Sequence, residues 1–346
     1  MTNGSHPRRM SPGAGMQALV LALAWSGGIA FGQGDAAPEK RGRNYPAESN
    51  GWALAATVRD ERLSEMSGLA SFPATRDRET VWCHNDGGRG TWLHQVSLET
   101  GAFVRSIELA GVANTDWEDL ATVTVDGQRF LAVADCGDNQ QRRKSYAIHV
   151  VKADDLGRGN GPGRASPAPV ARTIRFRYPD GPHDSEALAF DARARQFLIF
   201  TKSKKSTLLY AVPWESGGGG GGAEKVASPV VALAPPVEYP KTPPVVQLKR
   251  SLFGNSATAA ALSPDGATLV ILTYTDCLVY PRAQGEAWDA ALARAPHVWP
   301  LPAVFQPEAL CFSADGTALY VTSENCPAPV YRRPVAVADG KTRSNP

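Results

Sequence analysis

An excess of charge of either sign is missing from this chain: 36 basic residues stand against 34 acidic ones, a formal net charge of +2. Without a basic field there is no electrostatic case for binding nucleic acid or an anionic membrane surface. Long apolar runs are missing too. The stretch Met16 to Ala24, soon followed by Gly27 and Gly28, falls short of the ~20 apolar residues that a membrane-spanning helix needs. The five cysteines form no Cys-x-x-Cys pair, which leaves a structural zinc site without support. No Gly-x-Ser-x-Gly elbow and no His-Glu-x-x-His pair occurs, and a Ser-His-Asp enzyme therefore has no basis here.

What is present begins with 33 glycines and 27 prolines spread along the chain, a composition suited to many turns. Arg8 and Arg9, the apolar run after them and the small-x-small step Ala30-Phe31-Gly32 predict a signal peptide over residues 1–32. A retained N-terminal anchor is the alternative, and no Cys stands at the cleavage region to carry a lipid. The mature protein is thus expected to be secreted or periplasmic, without a stable membrane span. Residues 33–50 read as a disordered lead-in, 51–336 as one folded domain and 337–346 as a disordered tail.

The domain is repetitive. Five segments share one layout: Glu65-Met-Ser-Gly-Leu-Ala70, Asp116-Trp-Glu-Asp-Leu-Ala121, Asp184-Ser-Glu-Ala-Leu-Ala189, Ser256-Ala-Thr-Ala-Ala-Ala261 and Gln306-Pro-Glu-Ala-Leu-Cys311. Aligned on their ends, they put Ser67, Glu118, Glu186, Thr258 and Glu308 at one position, at intervals of about fifty to seventy residues. Each is followed by further apolar runs, with strand-pairing turns at Val125-Asp-Gly127, Pro264-Asp-Gly266 and Ala314-Asp-Gly316. The pattern predicts an all-β fold, a β-propeller of four-stranded repeats. Five are legible, and a sixth has room between Glu186 and Thr258, where the Gly217 to Gly222 run reads as a surface loop. Two stacked β-sandwiches are the competing architecture. The fifth repeat lacks a fourth strand, and Trp52 to Val58 is expected to close it as the outer strand, removing an exposed sheet edge.

The innermost strands of a propeller line its axial channel, so a residue repeated at their start converges near the axis. That brings together Glu65, Asp116, Glu118, Asp184, Glu186 and Glu308. The second strands are expected to end in a matching set, Asn85, Asp135, Lys202, Tyr274 and Glu324, with Asp86, Asp119, Asp138 and Asn139 close by. So many carboxylates repel one another unless a cation or shared protons offset the charge. Calcium, or another hard divalent cation, takes six to eight oxygen ligands of these kinds. The expected ligand pool is Glu65, Asp86, Asp116, Glu118, Asp135, Asp138, Asn139, Asp184, Glu186, Glu308 and Glu324. The histidines share no repeat position, which disfavours imidazole-bound metals. His84 and His183 stand beside acidic clusters, as ligands or as supports for ligands.

The stretches Glu65-Met-Ser-Gly-Leu-Ala, His84-Asn-Asp-Gly-Gly, Asp116-Trp-Glu-Asp, Asp135-Cys-Gly-Asp-Asn139, Tyr178-Pro-Asp-Gly, Asp184-Ser-Glu-Ala and Ser263-Pro-Asp-Gly resemble a group of exported bacterial propellers. That group is similar to the calcium-dependent phosphotriesterase and phytase-like propeller superfamily. The resemblance covers roughly residues 60 to 325 and implies a calcium-bearing channel mouth with ester or phosphoester hydrolysis. Thr258 and Ala261 depart from it, standing where an acid is expected.

Two classes of function stay open. In the hydrolase reading, Lys202 and Arg142, with Arg143, hold a small anionic substrate or its developing charge beside the cation. In the binding reading, a structural cation supports a ligand or partner surface without turnover. The repeat alignment also predicts a disulfide between Cys277 and Cys326 and a second between Cys83 and Cys136, with Cys311 free and packed in a first strand; five reduced, packed cysteines are the alternative.

Overall fold

The apolar run after Trp52 forms a strand, β1 (Ala53–Val58), and the rest of the chain builds four-stranded antiparallel blades. A computed structural model describes residues 49–72, 79–88, 90–157, 167–204, 206–214, 225–233 and 244–335, and the fold is stated for these. The expected signal peptide, the lead-in up to residue 48, the Gly217 to Gly222 run and the tail lie outside the described residues.

Blade 1 is β2 (Met66–Ser71), β3 (Thr80–Asn85), β4 (Trp92–Ser97) and β5 (Phe103–Ala110). Blade 2 is β6 (Trp117–Val125), β7 (Gln128–Asp135), β8 (Tyr146–Lys152) and β9 (Ala168–Arg177). Blade 3 runs β10 (Ser185–Asp191), β11 (Gln196–Thr201), β12 (Leu208–Pro213) and, after the short β13 (Lys225–Val226), β14 (Ser228–Ala232). Blade 4 is β15 (Ala257–Leu262), β16 (Thr268–Thr273), β17 (Asp276–Pro281) and β18 (His297–Pro300). Blade 5 is β19 (Pro307–Phe312), β20 (Ala318–Ser323) and β21 (Ala328–Pro334), closed by β1. That closure runs antiparallel from Ala53 opposite Arg332 to Val58 opposite Ala328. Trp52, fully buried, donates its Nε1–H to the Pro300 carbonyl of blade 4 at 3.0 Å. A short parallel pairing of β5 with β9 joins the outer edges of blades 1 and 2.

The innermost strands touch in a closed ring, β2 to β6 to β10 to β15 to β19 and back to β2. The ring is five-bladed, and stacked sandwiches are excluded. The interval between Glu186 and Thr258 holds the remaining strands of blade 3 and a helix, α1 (Pro244–Phe253), among the described residues. Each blade buries both faces against its neighbours, and one apolar cluster fills each of the five interfaces. This explains why the first strands are buried along their length and rich in Ala and Leu: they are squeezed between neighbours where the wedges converge. The hairpins follow their turn chemistry. Asp126 (φ 51°) and Gly127 (φ 74°) both adopt left-handed backbone between Val125 and Gln128, as a two-residue type I′ turn requires.

Every first strand carries a bulge near its start. The extra residues are Glu118, Glu186, Thr258 and Glu308, the aligned position of the repeat. In blade 1 the extra residue is Gly68, not Ser67. Gly68 has φ +60°, and a Cβ there would lie 2.8 Å from both His84 Nε2 and the Leu120 nitrogen, so only glycine serves. The second strands depart from expectation by one residue. Asn85 and Asp135 correspond by pairing to Thr201, Thr273 and Ser323. Lys202, Tyr274 and Glu324 therefore match Asp86 and Cys136 instead. Sequence similarity aligned polar residues, whereas the ladder aligns hydrogen bonds.

The expected disulfides do not form: all five cysteines are free. Cys83 faces the interface of blades 1 and 5, while Cys136 faces that of blades 2 and 3, so the bodies of blades 1 and 2 stand between them. Cys277 lies in the third strand of blade 4 and packs against blade 5, whereas Cys326 sits in the loop before β21, beside the Val58 carbonyl. Cys311 is free and buried, as expected.

Asp119, fully buried, ties three blades together. One oxygen accepts from its neighbour Leu120 N–H at 2.8 Å, and the other from Leu188 N–H of β10 at 2.8 Å and Ala260 N–H of β15 at 3.1 Å. Asp119→Ala would strand three buried donors at about 1–3 kcal/mol each. Urea unfolding should therefore show a loss of about 3 kcal/mol or more. A loss under about 1 kcal/mol would mean that the three bonds do not support the ring.

Candidate functional site

Two repeat positions without a carboxylate show what the bulge otherwise does. Ser67 donates its hydroxyl to the Glu118 carbonyl at 2.6 Å, and Thr258 donates to the Pro307 carbonyl at 2.8 Å. In these blades the hydroxyl stitches the strand to the next blade. In blades 2, 3 and 5 the position holds a glutamate, and these three buried side chains crowd the mouth of the channel with their neighbours.

On the side of blades 1 and 2, Asp86, Asp116 and Glu118 converge, each with a carboxylate oxygen within 4.8 Å of the others. Asp86 follows β3 and is held by its N–H to the Glu65 carbonyl at 2.8 Å. Its own carboxylate takes the Gly87 N–H. Asp116 opens β6, with its N–H on Asp135 Oδ1 at 3.2 Å and its carbonyl accepting from Gly137 N–H at 3.2 Å. Gly87 and Gly137 leave the space these carboxylates occupy, and a side chain at either would push them aside. A Cβ at Gly87 would lie 2.5 Å from Asp116 Oδ1, and one at Gly137 would lie 2.6 Å from Asp116 Oδ2 and collide with Glu118 Oε1. Among the described residues no basic side chain forms an ion pair with these three acids.

The other side differs. Lys202 bonds Glu186 Oε1 at 2.7 Å, lies over the Tyr274 ring at 5.8 Å and feels Glu308 and Glu118. Glu324 accepts from Gln306 Nε2 at 2.8 Å. Asp184 accepts the Asp138 N–H at 2.8 Å, and its carbonyl accepts the Lys202 N–H at 2.8 Å. One wall of the mouth carries its own cation and the other does not.

The electrostatics follow from burial and crowding. Burial, then Asp86 and Asp184, push Asp116 up to about 6, against the pull of Arg143. Burial, then Glu186 and Asp86, push Glu118 well above the carboxylate range. Burial likewise raises Glu186 to about 7 even though Lys202 opposes it, and holds Glu308 well above the carboxylate range. Burial works against the Lys202 ammonium, but Glu186, Tyr274, Glu308 and Glu118 outweigh it and hold the charge. His84 is fully buried and neutral, pushed down to about 4 by burial, with Nδ1 on the Asn85 carbonyl at 2.9 Å. It stands edge-on to Trp117 at 5.8 Å.

Several expected ligands are used elsewhere. Asp135 pairs with Arg143 at 2.7 Å and caps the start of β6 through the N–H groups of Thr115 and Asp116. Asp138 organises its own turn, accepting from Arg142 N–H, Arg143 N–H and the Tyr146 hydroxyl at 2.9, 2.8 and 3.0 Å. Asn139 and Arg142 are exposed on that turn. Glu65 contributes its backbone, donating to Asn85 Oδ1 and accepting from Asp86 N–H. His183 belongs to a separate group with Asp180 and Tyr210, at 3.1 and 2.9 Å. The roles of Gly87 and Gly137 were not anticipated, although both glycines stand directly beside acids in His84-Asn-Asp-Gly and Asp135-Cys-Gly-Asp. Beyond Asp119 lies a cavity of about 220 Å³ lined by Leu69, Leu120, Leu188 and Ala260, with Arg129, Arg193 and Asp265 also on its wall.

No family model matches this chain, and no curated protein matches it. Similar solved structures include the PQQ-bound aldose sugar dehydrogenase of Streptomyces coelicolor, 12% identical, with a TM-score of 0.43 over 84% of this chain and 99% of that one. The β-propeller domain of Cps50 (Swd1) from Myceliophteria thermophila is 10% identical, with a TM-score of 0.41 over 82% of this chain and 99% of that one. The assignment of this chain to the β-propeller architecture rests on its own closed ring of five blades.

Proposed function

We infer that the channel mouth binds a calcium ion through Asp86, Asp116 and Glu118, and that the protein hydrolyses a small anionic ester or phosphoester there. The observation that carries this reading is the asymmetry of charge. Glu186 is paired with Lys202, whereas none of the three clustered acids forms an ion pair among the described residues, and Arg143 and Lys202 act on Asp116 and Glu118 only from a distance. The donor set is all oxygen, which suits a hard cation, and the bare backbones of Gly87 and Gly137 let the carboxylates gather. The resemblance to calcium-dependent phosphotriesterase and phytase-like propellers points the same way, as does export through residues 1–32, which belongs to this proposal. Calcium there would supply Lewis-acid polarisation of the ester oxygen and of a water molecule. Glu186, buried beside that cluster, takes the proton that water loses, and Lys202 holds Glu186 in place. Arg142 lies on an exposed turn and is given no role in this proposal. The binding reading is favoured by one observation: Lys202 is already bonded to Glu186, which leaves it less able to grip a substrate anion.

After chelation, adding calcium should raise the melting temperature, with stabilisation of about 3 kcal/mol at a hundredfold excess over Kd. Glu118→Gln and Gly137→Ala should each remove most of that gain. No calcium-dependent shift in the native chain would refute the site.

Stability without calcium should depend on pH. A carboxyl whose pKa is raised on folding binds its proton more tightly when folded, so stability is lost as the pH climbs from the unfolded to the folded value. For Asp116 that window runs from 3.8 to about 6, and for Glu186 from 4.5 to about 7. Melting temperatures should fall between these limits and the slope should flatten with calcium. A calcium-free profile that is flat or rises across the window would contradict the crowding.

Turnover of phosphoesters or lactones should vanish with chelator and return with calcium. Glu186→Gln should lower kcat by about 10²–10⁴ with calcium binding retained. A broad substrate panel without metal-dependent turnover, in protein that binds calcium, would leave the binding reading.

A further inference from the structure

A second polar cleft lies on the flank of blade 2, separated from the axial acids by Asp135, which lines it. Its floor is one face of the sheet, built from two rows of paired residues. One row runs Asp135, Ala147, Arg175 across β7, β8 and β9, and the next runs Val133, His149, Thr173. The connection from β5 to β6, including Gly111, Val112 and Thr115, forms the opposite wall of a cavity of about 550 Å³. Ala147 is the small residue between two opposite charges, and it opens a span of two strand spacings, about 10 Å, between Asp135 and Arg175.

The charges in this cleft do not cancel. The carboxylate of Asp135 is satisfied by Arg143 at 2.7 Å and by the N–H groups of Asp116 and Thr115 at 3.2 and 3.3 Å. Arg175 is exposed and has no ion pair among the described residues, so the cleft retains about one positive charge. His149, 5% exposed, anchors Nδ1 to the Thr173 hydroxyl at 3.1 Å, yet its Nε2 has no hydrogen-bond partner. That nitrogen lies 3.9 Å from Asp135 Oδ2. The gap is too long for a direct hydrogen bond, but one oxygen that both gives and accepts a proton could bridge it.

We propose that this cleft binds a small hydroxylated oxyanion, with its anionic group on Arg175 and a hydroxyl between His149 Nε2 and Asp135. The ligand class is a hydroxy-carboxylate or a sugar phosphate, which present the same chemistry at both ends. Arg175 recognises the charge through its planar guanidinium, and the His149–Asp135 pair recognises the hydroxyl. The site is independent of the axial calcium proposal, since none of the three clustered acids lines it.

Calorimetric titration of the full chain in calcium-free buffer tests this with three probes: gluconate, glucose 6-phosphate and uncharged sorbitol. Saturable binding of gluconate or glucose 6-phosphate is expected with sorbitol silent, and the tighter of the two identifies a carboxylate or a phosphate as the natural anion. Arg175→Glu, an exposed substitution, should weaken binding by about tenfold or more, while Glu118→Gln in the axial mouth leaves it unchanged. Three results would overturn the proposal: no saturable binding of either anion in the millimolar range, equal binding by Arg175→Glu, or loss of binding in Glu118→Gln.

Discussion

The carboxylate of Asp119 is the constraint on which the centre of this molecule depends. Five wedge-shaped blades can close into a ring only if their innermost strands approach closely, and close approach leaves backbone donors facing an axis from which water is excluded. Asp119 supplies the acceptor for three of them, from β6, β10 and β15. Burial pushes its pKa well above the carboxylate range, while the N–H groups of Leu188, Ala260 and Leu120 pull it back. It also divides the channel. The acidic mouth lies on one side, and the cavity that begins at Leu69, Leu120, Leu188 and Ala260 lies on the other.

Directly before Asp119 stands Glu118, and the bulge that makes room for it recurs in every blade. A bulge leaves one residue unpaired and re-aims its side chain, which is how a strand packed on both faces still presents a polar group toward the axis. Where that group is Thr258, it bonds the neighbouring strand, as does Ser67 just before the bulge of blade 1, and the contact is purely structural. Where it is a glutamate, charge accumulates. The molecule offsets it on one wall with Lys202 and leaves Asp86, Asp116 and Glu118 without a basic partner among the described residues. Crowding of this kind costs stability unless an external cation or protons relieve it.

Asp135 connects the two polar regions of blade 2. Its oxygens bond the N–H groups of Thr115 and Asp116, which positions the first acid of the axial cluster, and the same carboxylate lines the flanking cleft beside His149. Burial works to raise its pKa, but His149 and Arg143 outweigh this and keep it ionised. A single residue at the end of β7 thus serves as cap, as salt-bridge partner and as wall.

The all-β repeat, its four-stranded unit and the closing role of β1 could be read from the amino-acid order. They are expressed in local signals: alternation, Asp-Gly turns and a run spare at one end and missing at the other. The convergence of Glu118 and Glu186 was legible for the same reason, because a repeat converts sequence position into a place in the ring. Glycine's part was not, since Gly68, Gly87 and Gly137 matter through the space that a Cβ would occupy beside groups from other strands. Nor were the cysteine partners. Cys83 and Cys136 are close in the repeat, but Cys83 turns to the far side of blade 1 and Cys136 to the far side of blade 2, and side-chain direction reverses with every one-residue change of register. The division between Asp135, held by Arg143, and Asp116, left to the mouth, likewise depends on contacts between elements. Order along the chain determined which residues reach the axis, and only the packing of five blades decided which of them meet.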